Sequence, residues 1–175
     1  SLAADVELTA RAAVDTMLAL SNGALAGRPP HRFESSRAHF LVQRWYAVRE
    51  RLPSIATSLW GAGCYALSEE GRARFEEFPE VLGDDLFINS LFSSEEVTMV
   101  RTDPVVVRTP LTLGDLIRVK RRSYRTQVPE YRGQEQGVIS TGQREQARDL
   151  RDLFRRDPRR SVDIAIYVAV IALAR

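Results

Sequence analysis

Residues 61–92 read GAGCYALSEEGRARFEEFPEVLGDDLFINSLF, and the rest of the chain is organised around them. The stretch ends with two adjacent acids, Asp84 and Asp85, followed directly by the apolar Leu86, Phe87 and Ile88. A solvated charge run would continue in polar residues. Acids abutting apolar residues are instead expected at the edge of a core, where desolvation and a like-charged neighbour shift a carboxyl towards the range of a general base. Helix capping is the competing explanation, because Asp is a preferred N-cap and Leu86 begins a helical pattern running to about Phe92. At the other end, Gly61-Ala62-Gly63 opens a short apolar strand expected over 58–67. There the missing side chains admit a close backbone or a ligand, or serve only a tight turn. Between the two, Ser68 caps a short helix through Phe75, and Phe78-Pro79 breaks it.

Upstream, residues 2–6 read as the end of a strand entering a turn, with the carboxylate of Asp5 presented where the strand stops. Thr9 caps a helix to about Leu20, with Ala12, Ala13, Met17 and either Leu18 or Leu20 inward, ended by Asn22-Gly23. Residues 27–30 read as loop. A second helix is expected over 36–52, burying Phe40, Leu41, Trp45, Val48 and Leu52 and stopped by Pro53. His31 and His39 have no acid or cysteine at metal-ligand spacing.

Downstream, 98–100 and 105–107 are β-branched runs split by Asp103-Pro104, compatible with a hairpin or edge strands. Thr112 to Asp115 has the form of a capping box opening a helix from Leu113 to about Tyr124. On it Arg118, Arg122 and Arg125 share one face, with Lys120 and Arg121 close by. Such a face suits a diphosphate, since Arg offers planar paired donors, or is simply a solvated basic stripe. Residues 127–142 have no period and are expected to form a mobile loop able to act as a lid. Residues 143–156 read as a surface helix with Leu150, Leu153 and Phe154 as its apolar face. Ser161 is expected to cap a last helix over 162–174. From Ile164 to Ala174 that helix carries no charge; it is too short to span a bilayer, and it buries itself equally well on its own domain or on a membrane surface.

The composition, 44% hydrophobic and 27% charged, is that of one globular domain rather than a disordered chain. A single cysteine, Cys64, rules out an internal disulfide and a cysteine metal cluster, which suits a reducing compartment. Net charge is only +2, while the arginines concentrate after residue 118, so a local anionic partner fits better than nucleic acid. No leader pattern opens the sequence, and its first residues read as an interior segment.

Three motifs in fixed order, GAGCYALSEEGRARFEEFP, GDDLF and TPLTLGDLIRVKRRSYRT, resemble the carboxyl-terminal half of the family 2 inverting glycosyltransferases, a group with the GT-A fold. The likeness covers residues 2–126. It implies that Asp85 is the catalytic base with Asp84 in the preceding acidic position, that Gly61, Ala62 and Gly63 form the acceptor loop, and that Lys120 and Arg122, supported by Arg118 and Arg125, contact the donor diphosphate. The segment LAADVELT resembles the family's metal-binding LDADVELT, with Asp5 in place and Ala3 where the first acid stands, so the implied Mg or Mn ion has one carboxylate left. Val119 and Ser123 stand where the family's basic motif has Gln and Trp.

The expectation is therefore an α/β chain: a partial GT-A fold over 1–126 with a mixed sheet flanked by helices, a loop over 127–142, and a helical extension over 143–175. The implied activity is transfer of a sugar from a nucleotide-diphospho-sugar donor to a hydroxyl acceptor, saccharide or lipid-linked, in the cytoplasm or at the cytoplasmic face of a membrane that the last helix contacts. The alternative is a degenerate transferase fold kept for binding or scaffolding.

Overall fold

A computed structural model describes residues 5–59, 61, 63–77, 84–93, 95–125 and 132–175, with the backbone alone at 84–86, 125 and 132–143. In chain order the elements are β1 (Val6–Glu7), α1 (Ala10–Ser21), β2 (Ala26–Arg28), β3 (His31–Glu34), α2 (Phe40–Arg49), α3 (Pro53–Ala56), β4 (Ala66–Leu67), α4 (Glu69–Arg72), α5 (Asp84–Ser90), β5 (Val97–Met99), β6 (Val105–Arg108), α6 (Leu113–Arg125), α7 (Arg132–Arg156) and α8 (Ser161–Ala174), with a 3-10 turn at Pro158–Arg160 before the last. The chain is mixed α/β, with small sheets flanked by helices. It divides into two units: Ser1–Arg32 with Thr57–Arg108, and Phe33–Ala56 with Thr109–Arg175.

The first unit is built on β2. This strand pairs antiparallel with β4 and parallel with β5, so the three-stranded sheet is mixed. In a second sheet β6 pairs antiparallel with β1, and β3 is the third strand. The two β-branched runs thus fall in different sheets rather than in one hairpin. Gly27 and Arg28, expected as loop, belong to the central strand: apolar Ala26 and Gly27 pair on both sides, and Gly27 is required because a Cβ there would lie 2.9 Å from the Thr98 carbonyl oxygen. The core joins Ala26, Leu59, Tyr65, Ile88 and Phe92, with Phe75, Phe87 and Val97 packed on it. Thr9 caps α1 as expected, its hydroxyl accepting from the Ala12 N–H. Met17, expected inside, is 67% exposed; α1 buries only the small Ala12 and Thr16, one turn apart.

The second unit is helical. Helix α8 packs on α2 and α6, and α7 packs on α3. At its centre the fully buried Trp45 stacks on Tyr167 with centroids 4.9 Å apart and meets Tyr46 edge-on. Two cations lie over the same indole, Arg49 at 5.5 Å and Lys120 at 5.2 Å from the centroid. Buried Asp163 accepts from Arg44 at 2.8 Å, so its charge is paired. Helix α2 is shorter than the pattern over 36–52 suggests, because His39 caps it and Pro53 starts α3 rather than ending the run. Phe40 is consequently exposed. The Asp149 carboxylate accepts from the Ser54 N–H, closing the start of α3.

Two further expectations change. The backbone is helical from Arg132, inside the span read as a loop over 127–142; its Gln, Glu and Arg residues outweigh Gly133, Gly137 and Gly142, each costing about 1 kcal/mol. Residues 126–131 lie outside the described residues. Ser161 is the first helical residue of α8 rather than its cap, which is Arg160 without a side-chain hydrogen bond.

Gly71 gives the sharpest packing test. Ser68 caps α4 through the Gly71 N–H at 3.0 Å while its own N–H donates to the Leu25 carbonyl, drawing the helix onto the strand entry. A Cβ on Gly71 would sit 2.2 Å from that carbonyl oxygen, and backbone cannot move aside cheaply. Alanine's better helix propensity, about 1 kcal/mol, is smaller than an overpacking cost of up to about 3 kcal/mol. Gly71→Ala is expected to lower the unfolding midpoint in a denaturant titration; an unchanged or raised midpoint would show that the contact relaxes freely.

Candidate functional site

The sequence-derived site residues fall in both units. Asp5, Gly61, Ala62, Gly63, Asp84 and Asp85 belong to the first, and Arg118, Lys120, Arg122 and Arg125 to the second. Asp84 and Asp85 occupy the first turn of α5. Both the helix-start reading and the short α5 that follows it hold at the level of the backbone, and their side chains lie outside the described residues, as do Ala62 and the side chain of Arg125.

Gly61 and Gly63 have φ of 80° and 68°, the left-handed region in which a Cβ is strained. Two such residues spaced one apart make a sharp turn, and its root is held from two sides. On one side Arg28, at the end of β2, is fully buried and donates from Nε to the Ser58 carbonyl at 2.7 Å. A second guanidinium nitrogen donates to the Pro29 carbonyl and meets His31 Nδ1, each at 3.0 Å. Burial lowers the Arg28 pKa to about 10, and the same burial raises the nearby Cys64 thiol. Arg28 therefore stays a cation at neutral pH and the thiol stays protonated. On the other side Asn89, in the last turn of α5, accepts from the Leu59 N–H through Oδ1 at 2.9 Å.

Helix α5 is in turn fixed by the segment before it. Ile88 is fully buried in the core, and Phe87 meets Phe75 edge-on at 5.4 Å. Arg74 lies over the Phe92 ring at 4.7 Å, donates to the Leu91 carbonyl at 2.8 Å, and is ion-paired with Glu96. That pairing, through its hydrogen bonds, holds the Glu96 carboxyl down at about 2. The helix that begins with Asp84 and Asp85 is thus joined at its far end, by Asn89, to the residue two places before Gly61.

The other expected residues are placed differently from one another. Asp5 is exposed in the turn before β1, and its carbonyl accepts from the Arg108 N–H; residues 2–4 of the expected strand lie outside the described residues. Among the described residues no three His, Cys, Asp or Glu side chains group as metal ligands. Asp5 supplies a single carboxylate, so a Mg or Mn ion held by it would draw its remaining ligands from donor phosphates and water. On α6 Thr112 takes the cap position expected of it: its hydroxyl accepts from the Asp115 N–H at 3.2 Å and donates to the Asp115 carboxylate at 2.6 Å, which holds that carboxyl below its ordinary range. Arg118 is exposed and paired with Asp115, Arg122 is exposed, and Arg121 donates to the Leu173 carbonyl. Lys120, which the resemblance assigns to the donor diphosphate, lies over the Trp45 ring.

Arg28, Asn89 and Arg74 escape a reading of the sequence. Arg28 hides in a Gly-Arg-Pro-Pro run that reads as loop, although a charged residue following Ala26-Gly27 was a signal. Asn89 is the one amide in the apolar run 86–92, and a lone amide there implies a specific partner.

Removing that amide leaves the part-buried Leu59 N–H without its acceptor. Asn89→Ala is therefore expected to cost about 1–2 kcal/mol, and to raise protease cleavage near Gly61 under native conditions; unaltered stability and cleavage would remove Asn89 as the clamp. No protein-family model, curated protein or solved structure matches the chain.

Proposed function

We propose that this chain is the acceptor-side portion of an inverting sugar transferase with a partial GT-A fold, acting from a nucleotide-diphospho-sugar donor. The observation that carries the proposal is the Asn89–Leu59 hydrogen bond, which ties the helix opening on Asp84 and Asp85 to the left-handed Gly61–Gly63 turn. Sugar transfer needs an acceptor hydroxyl held beside a base. A turn built on two glycines lets the acceptor approach the backbone, and clamping α5 holds the helix backbone from which the acids of its first turn project.

In this reading Asp85 takes the proton from the acceptor hydroxyl as the oxygen attacks the anomeric carbon. The new C–O bond forms opposite the bond to the nucleoside diphosphate, which leaves with its electron pair, so the configuration inverts. Asp84 keeps the neighbouring acidic position. The exposed Arg118 and Arg122 are offered to the donor's diphosphate, an assignment that stands on charge and on the resemblance. A divalent ion, when bound, would neutralise that diphosphate with Asp5 as a protein ligand.

The test is release of nucleoside diphosphate from a panel of nucleotide sugars, in the protein that carries this chain. Asp85→Asn is expected to lower turnover by about 10²–10⁴-fold, the usual contribution of a general base, while donor binding measured by calorimetry is kept. Undiminished turnover would overturn the base assignment. No release from any donor by the unsubstituted protein would favour the binding or scaffold alternative.

A further inference from the structure

The two units carry opposite charge. The first holds 7 Lys and Arg against 13 Asp and Glu, and the second 18 against 10, a formal +8 that a chain-wide net of +2 conceals. Within the basic unit, α8 buries Asp163, Tyr167, Val170 and Ala174 and leaves its opposite side to solvent. That side is an uncharged stripe: Val162, Ala165, Val168, Ala169, Ala172 and Leu173 are all exposed, the three largest at 65%, 48% and 56%. They recur at three- and four-residue spacing, so they line one strip along the helix. Cations stand at both ends of it. Arg156 and Arg159 are exposed just before α8, and at its far end Arg121 donates to the carbonyl of the exposed Leu173 while Arg175 lies over Tyr124 at 5.7 Å.

We propose that the exposed stripe of α8 is a docking surface for a bilayer with anionic headgroups, on which the helix lies parallel to the surface. Among the described residues no helix is long and apolar enough to cross a membrane, so the contact is peripheral. A helix of 14 residues is about 21 Å long. The strip then offers on the order of 200 Å² per copy, well short of the roughly 1,200 Å² total of a stable protein pair. Two units of +8 would also repel. Apolar side chains seated at the acyl boundary with arginines at headgroup level need neither a large area nor an opposing apolar surface. The inference is independent of transfer chemistry.

Vesicle flotation of the chain tests it, with phosphatidylcholine alone and with phosphatidylcholine mixed with phosphatidylglycerol. Binding is expected to the mixed vesicles only and to weaken as salt rises. Val168→Glu, on the exposed side and so compatible with an unchanged circular dichroism spectrum, should reduce binding on the order of tenfold. Arg159→Glu should reduce it as well and flatten the salt dependence, which gives a second reading if the first variant folds poorly. No binding to the mixed vesicles, or binding untouched by both substitutions, would overturn the proposal. Concentration-dependent dimers without lipid that Val168→Glu abolishes would also overturn it, assigning the stripe to a second copy.

Discussion

A buried cation at the end of a strand carries much of the first unit's order. Arg28 has no exposure, and its desolvation is offset by acceptors around the guanidinium, among them the Ser58 and Pro29 carbonyls and the His31 ring nitrogen. The arrangement works with the His31 nitrogen unprotonated, as an acceptor. The same contact stops the chain from wandering before Gly61. With Asn89 holding the Leu59 N–H, the left-handed turn is rooted in a single peptide group, the Ser58–Leu59 amide, held through its carbonyl and through its N–H. Position is thus imposed on the glycines from outside, since glycines by themselves supply only freedom.

The second unit solves the opposite problem, of burying charge without a sheet. Its centre is an indole with an aromatic ring stacked on it and cations set over it, and the buried Asp163 is matched by Arg44 and Arg160. Among the described residues Trp45 Nε1 is buried with no hydrogen-bond partner, so the contacts recorded for the ring are made by its faces. Burial raises the Tyr167 pKa, so this phenol stays neutral beside Arg49. Lys120 belongs to this centre: the cation that the resemblance assigns to a donor diphosphate is packed over the buried indole.

Local signals were legible. Thr9, Ser68 and Thr112 were readable as caps because a hydroxyl three residues before a backbone N–H is a short-range device. Helix α5 also begins close to its expected start, at Asp84. What stayed hidden depends on residues far apart in sequence. The pairing of β2 with β5 joins residues some 70 apart, and Arg28 with Ser58, or Asn89 with Leu59, joins residues 30 apart. Nothing in the periodicity of Gly-Arg-Pro-Pro reports such a partner. The helix from Arg132 was missed for another reason: three glycines were weighed as loop formers, although helix propensity is only a weak prior that the surrounding residues and packing override.

The candidate site combines both kinds of information, and that makes its logic specific. Order of motifs suggests the roles of Asp85 and the glycine turn, but order cannot say why an unremarkable GRARF segment lies between them. The contacts supply the reason. Arg74 and Phe75 of that segment hold the two ends of the apolar run after the aspartates, Arg74 at Leu91 and Phe92 and Phe75 at Phe87, while Gly71 lets the same segment close on Leu25. A segment tolerant of any sequence would leave α5 free to rotate. By clamping the helix at Phe87, Asn89 and Leu91, the fold places its specific interactions one to two turns beyond the backbone start of α5 at Asp84, so the direction of the whole helix is set from its far end.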